Sequence, residues 1–154
     1  MAIRHWHLDS GAIRINNFPE NEIQIAIPIH LLAAPKSIPI DSTGEKSSFG
    51  FFKIPPSLVK HIKSAIFAAR GLTPTATDAV VNVNLKDLNT GTILATLEYA
   101  GDSGYKETNV NIDDLKNAVG DEIYSNLYVT TASATAGATQ EFRSVVLVLI
   151  LGIS

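Results

Sequence analysis

Hydrophobic and polar residues alternate with a period of two along most of the chain, and this pattern predicts β-strands. Residues 22–30, E-I-Q-I-A-I-P-I-H, place four isoleucines on one face. Pro28 lacks an amide hydrogen and therefore predicts that this strand lies at a sheet edge or breaks there. Residues 62–70 and 105–112 alternate in the same way and predict two further strands.

The clearest local signal is a β-hairpin. Residues 79–86, A-V-V-N-V-N-L-K, and residues 92–99, T-I-L-A-T-L-E-Y, flank the loop D-L-N-T-G. Asn89, Thr90 and Gly91 are typical of such a loop, because Asn and Gly tolerate positive φ. We expect Val81, Val83 and Leu85 to face the core and the residues between them to face solvent.

The apolar run Val145–Leu151 closes the chain. Its seven residues fall well short of the roughly 20 that a membrane-spanning helix needs, so no membrane span is expected. The run instead predicts a strand covered on both faces, either inside the fold or by a neighbouring subunit. By strict alternation, Phe142, Ser144 and Val146 are expected to share one face.

The remaining segments predict turns and short helices. Residues 31–48 are rich in Pro, Ser and Gly and are interpreted as a long loop. P-P-S-L-V-K-H suits a single helical turn. D-D-L-K-N-A-V-G suits a short helix capped by Asp113. Seven to nine strands with one or two short helices predict an all-β fold, an antiparallel β-sandwich that is jelly-roll-like, comprising residues 19–154 after an N-terminal arm of residues 1–18.

Composition and charge narrow the possible functions. The 154 residues are 45% hydrophobic and 18% charged, which indicates one folded domain. The net charge of -3 argues against nucleic-acid binding, although residues 1–70 carry a positive excess and residues 71–154 a negative one. Cysteine is absent. The N-terminus lacks the apolar run of a secretory signal peptide, so we expect a cytoplasmic protein or part of a virion.

Candidate catalytic and metal chemistry is sparse. His5, His7 and Asp9 would share one face of an extended strand and could hold a divalent metal ion, but a solvated terminal arm is the favoured interpretation. His30 and His61 have no nucleophile motif beside them. We therefore predict a protein that is not an enzyme and that needs no cofactor.

A polar set of residues suggests an alternative, which is carbohydrate or receptor binding. Asn82, Asn84, Asn109 and Asn111 are expected on exposed faces of strands that could be neighbours. Tyr105 could stack on a sugar ring beside them. The plainer interpretation is that these asparagines cover a solvated sheet face.

Four segments carry a resemblance to jelly-roll modules over residues 49–151. They are P-P-S-L-V-K-H, the hairpin V-N-V-N-L-K-D-L-N-T-G-T-I-L, L-Y-V-T-T-A-S and F-R-S-V-V-L-V-L. The chain resembles such modules of virion structural proteins and of carbohydrate-binding domains. That resemblance implies a sandwich fold and either assembly or glycan binding.

The leading prediction is a structural protein that assembles into a homo-oligomer, a trimer or higher, or into a larger particle such as a capsid or tail. Trp6 is predicted to anchor the arm on a neighbouring subunit. Leu147, Leu149 and Leu151 are predicted as interface positions, with burial in the core as their alternative.

Overall fold

The structure is a computed structural model that describes residues 21–40, 44–74, 80–119, 127–133 and 138–152. Within these ranges the chain forms eight strands, a 3-10 helix at Pro56–His61 and an α-helix, α1, at Ile112–Val119. The strands are β1 (Glu22–Ile40), β2 (Gly44–Phe52), β3 (Ile62–Gly71), β4 (Val80–Asp87), β5 (Ile93–Ala100), β6 (Gly104–Asn109), β7 (Leu127–Ser133) and β8 (Ala138–Gly152).

The strands form two four-stranded antiparallel sheets. Sheet A has the order β1-β8-β3-β6, and sheet B has the order β2-β7-β4-β5. The pairing is nested along the chain, because β1 pairs with β8, β2 with β7, β3 with β6 and β4 with β5. The prediction of an all-β antiparallel sandwich with short helices is confirmed, and the finer jelly-roll assignment stays a prediction.

One hydrophobic core lies between the sheets. Sheet A contributes side chains such as Phe67, Leu147 and Leu149, and sheet B contributes Leu85 and Val129, all with no exposed surface. These residues occupy alternate positions on their strands, so the opposite positions point away from the core. The outward side chains of the two sheets are therefore the surfaces on which function can be sought.

Strand β1 confirms one prediction and corrects another. Its alternation is as expected, with Ile25, Ile27 and Ile29 packed against the core and β1 at the edge of sheet A. The predicted loop over residues 31–48 is wrong, because β1 continues to Ile40 and β2 begins at Gly44. The long strand β8 pairs with both halves of β1 across a register shift, and this non-local pairing overrides the loop-like composition.

Strict alternation also fails in β8. Phe142 and Val145 are both buried, and Arg143 between them is exposed. The pairing with β3 shifts register at this point, since Phe142 lies opposite Gly71 and Ser144 opposite Arg70. A β-bulge that inserts one residue reverses the faces of the strand beyond it, so the predicted common face of Phe142 and Val146 is wrong.

The hairpin and the helix follow local sequence signals. Gly91 has φ +73° and donates its amide hydrogen to the Asp87 carbonyl at 2.9 Å, which closes the β4–β5 loop as predicted. Helix α1 is capped by Asn111 and not by Asp113. The Asn111 Oδ1 accepts hydrogen bonds from the amides of Asp113 at 3.0 Å and Asp114 at 3.2 Å.

Candidate assembly surface

The outward side of sheet A carries a continuous block of apolar side chains on three adjacent strands. In the register, Val148 of β8 lies between Ala26 of β1 and Ile66 of β3. One row further, Val146 lies between Pro28 and Ala68, and in the opposite direction Ile150 lies between Gln24 and Ser64. We call this block the apolar face; its members are Ala26, Pro28, Ile66, Ala68, Val146, Val148 and Ile150.

The apolar face is accessible over most of its extent. Ala26 and Pro28 are exposed and Ala68 is buried. The other members are half-buried, namely Ile66, Val146, Val148 and Ile150. An antiparallel sheet with one solvated side commonly places polar residues there. Aliphatic side chains in the middle of an outward sheet face are therefore a feature that core packing does not explain.

An ion pair borders one end of the apolar face. The Lys63 Nζ lies 3.2 Å from the Glu22 Oε1, and both side chains retain exposure, at 54% and 25%. The lysine reaches from β3 to β1 across Gly152 of β8, where an added Cβ would lie 2.5 Å from the Lys63 Cε. A glycine at this position leaves the space through which the side chain passes.

Charged and polar residues border the other sides. Arg70 and Arg143 are exposed beyond the Val146 row. On β6, Tyr105 is 62% exposed, and its hydroxyl donates a 2.6 Å hydrogen bond to the Glu107 Oε2. This bond raises the pKa of Tyr105 to about 12, because the phenol must keep its proton to donate it. An apolar centre with a polar rim is the usual anatomy of a protein interface.

The predicted interface leucines lie on the inner side of β8. Leu147 and Leu149 have no exposed surface, and Leu151 is 8% exposed. Because their contact surface is already used by the core, the interface prediction is corrected and the core alternative holds for them. The outward residues of the same strand are Val146, Val148 and Ile150.

The four asparagines do not share a face, so that expectation is wrong. Asn82 and Asn84 lie on β4 in sheet B, and Asn109 lies on β6 in sheet A. Asn84 is only 4% exposed, and its Oδ1 accepts a hydrogen bond from the Thr96 hydroxyl at 2.9 Å. Asn111 precedes α1 as its cap. A ligand role for any of these residues stays a prediction.

Sequence reasoning missed a cluster that closes the side of the sandwich where β5 and β6 meet. The Lys106 Nζ donates to the Glu98 carbonyl at 2.7 Å and lies 2.6 Å from the Asp102 Oδ2. It also lies 4.9 Å from the centroid of the Tyr99 ring. The hydrogen bond from Lys106 is the main cause that lowers the pKa of Asp102. The sequence signal for this ion pair is the spacing of an acidic and a basic residue, Asp102 and Lys106, four positions apart.

Tyr99 is the buried centre of that cluster. Its hydroxyl donates to the Ala69 carbonyl at 2.9 Å, with the Gly104 carbonyl at 3.3 Å as a second acceptor. Its ring packs edge-to-face on Phe142 with centroids 5.4 Å apart. Burial is the main cause that raises the pKa of Tyr99 to about 12.

Several predicted residues lie outside the described ranges, namely Trp6, His5, His7 and Asp9. Among the residues that the structure does describe, no group of three or more His, Asp or Glu side chains could hold a metal ion. In the same part of the chain, no helix has the length and apolarity to cross a membrane.

The chain matches no protein-family model and no curated protein sequence. Among solved structures it is similar to a protein of Bacillus endospore appendages, which are described as a novel family of disulfide-linked pili. The two share 18% identity over 86% of this chain and 88% of the other, with a TM-score of 0.35. A likeness this loose carries no argument about function.

Proposed function

We propose that this chain is a non-enzymatic structural protein that assembles with copies of itself. The observation that carries the proposal is the apolar face, an outward sheet surface with Val146, Val148 and Ile150 at its centre. Burying such side chains against another molecule contributes about 25 cal/mol for each Å² of apolar surface removed from water. Leaving them in water forgoes that free energy and invites non-specific contact.

The charges of the chain are compatible with self-association. The net charge of -3 on 154 residues produces little repulsion between copies. The rim of the apolar face carries both signs, with Glu22 and Glu107 as anions and Lys63, Arg70 and Arg143 as cations. A mixed rim favours a defined orientation between subunits over random aggregation.

The test is the mass of the chain in solution over a wide concentration range. Sedimentation velocity and light scattering from about 1 μM to 1 mM are expected to give a discrete oligomer at the upper end, since specific interfaces dissociate in this range or below. A chain that stays monomeric throughout contradicts the proposal. Electron microscopy of the assembled fraction then separates a small oligomer, a trimer or higher, from a larger particle such as a virion component.

A second candidate function is glycan binding at β6. The observation that favours it is Tyr105, which is 62% exposed, with Glu107 and Asn109 following on the same side of the strand and Arg70 opposite on β3. An exposed ring beside carboxylate, amide and guanidinium groups is a chemically suitable sugar platform. A glycan array, with the Tyr105→Ala variant as its control, tests this function. Binding that is selective and is lost in the variant supports it, and unselective or absent binding contradicts it.

A further inference from the structure

We infer that the partner of the apolar face is a second copy of this chain, packed face to face about a two-fold axis that runs along β8. This inference rests on the proposed function and adds the surface and the geometry to it. Sheets that pack in this way lie about 10 Å apart, with side chains from both contributing to the layer between them. The same patch on both copies must then be complementary to itself.

A row is the set of residues that are paired with one another across the strands of sheet A. A two-fold axis along β8 reverses the order of the strands in the second copy and keeps the rows of the two copies aligned. Val148 of one copy then lies on Val148 of the other, and β3 of each copy lies over β1 of the other. In the shared row, Ile66 of β3 comes opposite Ala26 of the second copy. A large side chain therefore meets a small exposed one, and the two-fold symmetry repeats the match on the other side of the axis.

The same axis also pairs the charged residues at the Gly152 end of the apolar face. Lys63 on β3 and Glu22 on β1 flank Gly152, so the reversal places Lys63 of each copy opposite Glu22 of the other. Two ion pairs can thus form between the copies. One row inward, Ser64 comes opposite Gln24, which pairs two polar side chains.

The other in-plane axis, perpendicular to the strands, gives a poorer match. This axis places β3 of one copy over β3 of the other and reverses the order of the rows on either side of Val148. Lys63, two rows from Val148 at one end, then comes opposite Arg70, two rows away at the other end. Like charges oppose each other at both ends of β3 in that arrangement. The axis along β8 brings Arg143 near Arg143 of the second copy at the border of the face but pairs Lys63 with Glu22 twice, so the charge pattern favours the axis along β8.

The face is large enough for a contact of modest affinity. With strands about 4.8 Å apart and outward residues about 6.8 Å apart along a strand, the apolar centre covers about 300 Å² in projection. About the axis along β8 only β1, β8 and β3 of the two copies overlap, and the face with its rim on these three strands covers about 490 Å² in projection. Standard interfaces bury about 800 Å² on each partner, so we expect a contact of modest affinity that a second interface reinforces in larger assemblies.

The first experiment uses two matched substitutions at exposed alanines. Ala26→Lys places a charge in the proposed contact, and Ala100→Lys places the same charge at the end of β5 in sheet B. Both positions are exposed, so both variants are expected to fold, and circular dichroism checks this. Ala26→Lys is expected to raise the dissociation constant about tenfold or more, and Ala100→Lys to change it less than about twofold. Equal effects of the two substitutions overturn the inference.

The second experiment exchanges charges between chains. In Lys63→Glu the two proposed ion pairs become repulsive, and the same holds in Glu22→Lys. Each variant alone is expected to dissociate about fivefold more readily than wild type. An equimolar mixture is expected to recover the association, because the introduced glutamate of one chain then faces the introduced lysine of the other. A mixture no stronger than its components overturns the proposed axis.

The third experiment uses the absence of cysteine. A single Val148→Cys lies on the proposed axis, and with the two sheets about 10 Å apart a short bis-maleimide cross-linker is expected to join two copies through their thiols. Ala100→Cys is the control and is expected not to cross-link. If wild type associates but Val148→Cys does not cross-link, the inference fails while the proposed function stands. If wild type is monomeric up to about 1 mM, the proposed function fails and the inference fails with it.

Discussion

Replacing Tyr99 by Phe tests whether its hydroxyl stabilises the side of the sandwich where β5 and β6 meet. The substitution keeps the ring and its contact with Phe142 and removes the hydrogen bond to the Ala69 carbonyl. A buried hydrogen bond of this kind contributes about 1 kcal/mol net. For a chain of this length, Tyr99→Phe is therefore expected to lower the melting temperature by about 3 °C near pH 7.

The pH dependence gives the sharper form of this prediction. The pKa of Tyr99 is raised to about 12 in the folded chain, against about 10 when unfolded, so the folded state holds this proton more tightly. The stabilisation is fully present below about pH 10 and is lost as pH rises from about 10 to about 12. The linkage relation gives a loss of about 1 kcal/mol at pH 11 in wild type only, because Phe cannot ionise.

Urea unfolding at pH 7 and pH 11 measures both numbers. The difference in free energy of unfolding between wild type and Tyr99→Phe is expected to be about 1 kcal/mol at pH 7 and to shrink toward zero at pH 11. Lysine deprotonation affects both proteins equally and cancels in the difference. A difference that is unchanged between the two pH values would refute the reasoning.

Substitutions at three further positions test the local packing and the helix cap. Gly71→Ala places a Cβ 2.7 Å from the rigid Tyr99 ring and is expected to destabilise by about 1–3 kcal/mol in urea unfolding. Gly152→Ala meets only the flexible Lys63 side chain, so less than about 1 kcal/mol is expected, and an equal cost at the two glycines would contradict this account. Asn111→Ala removes the cap of α1 and is expected to lower the free energy of unfolding by about 1 kcal/mol. Asn111→Asp keeps an acceptor and is expected to lower it by less. An alanine variant as stable as wild type would argue against the cap.

The candidate assembly surface shows how far sequence patterns reach. The run Val145–Leu151 predicted a strand covered on both faces. It forms a strand between β1 and β3 in sheet A whose inner face is covered by the core and whose outer face is half-buried. Of the two alternatives for Leu147 and Leu149, interface or core, the structure shows burial in the core. An apolar run without alternation carries no information about which face meets the core. Only the bulge at Arg143 and the pairing partners determine that Val146, Val148 and Ile150 point outward.

Local patterning by itself determined the strand-forming segments, the β4–β5 hairpin, the edge position of the strand containing Pro28 and the existence of α1. These features depend on side chains that are close in sequence, since period, turn chemistry and the missing proline donor all act within a few residues. Tertiary structure alone decided that residues 31–40 form a strand, that the asparagines separate onto two sheets, and that Lys63 reaches Glu22 across Gly152. Each of those features needs strands that are distant in the chain to come together, and the register that aligns them is set by the packed core.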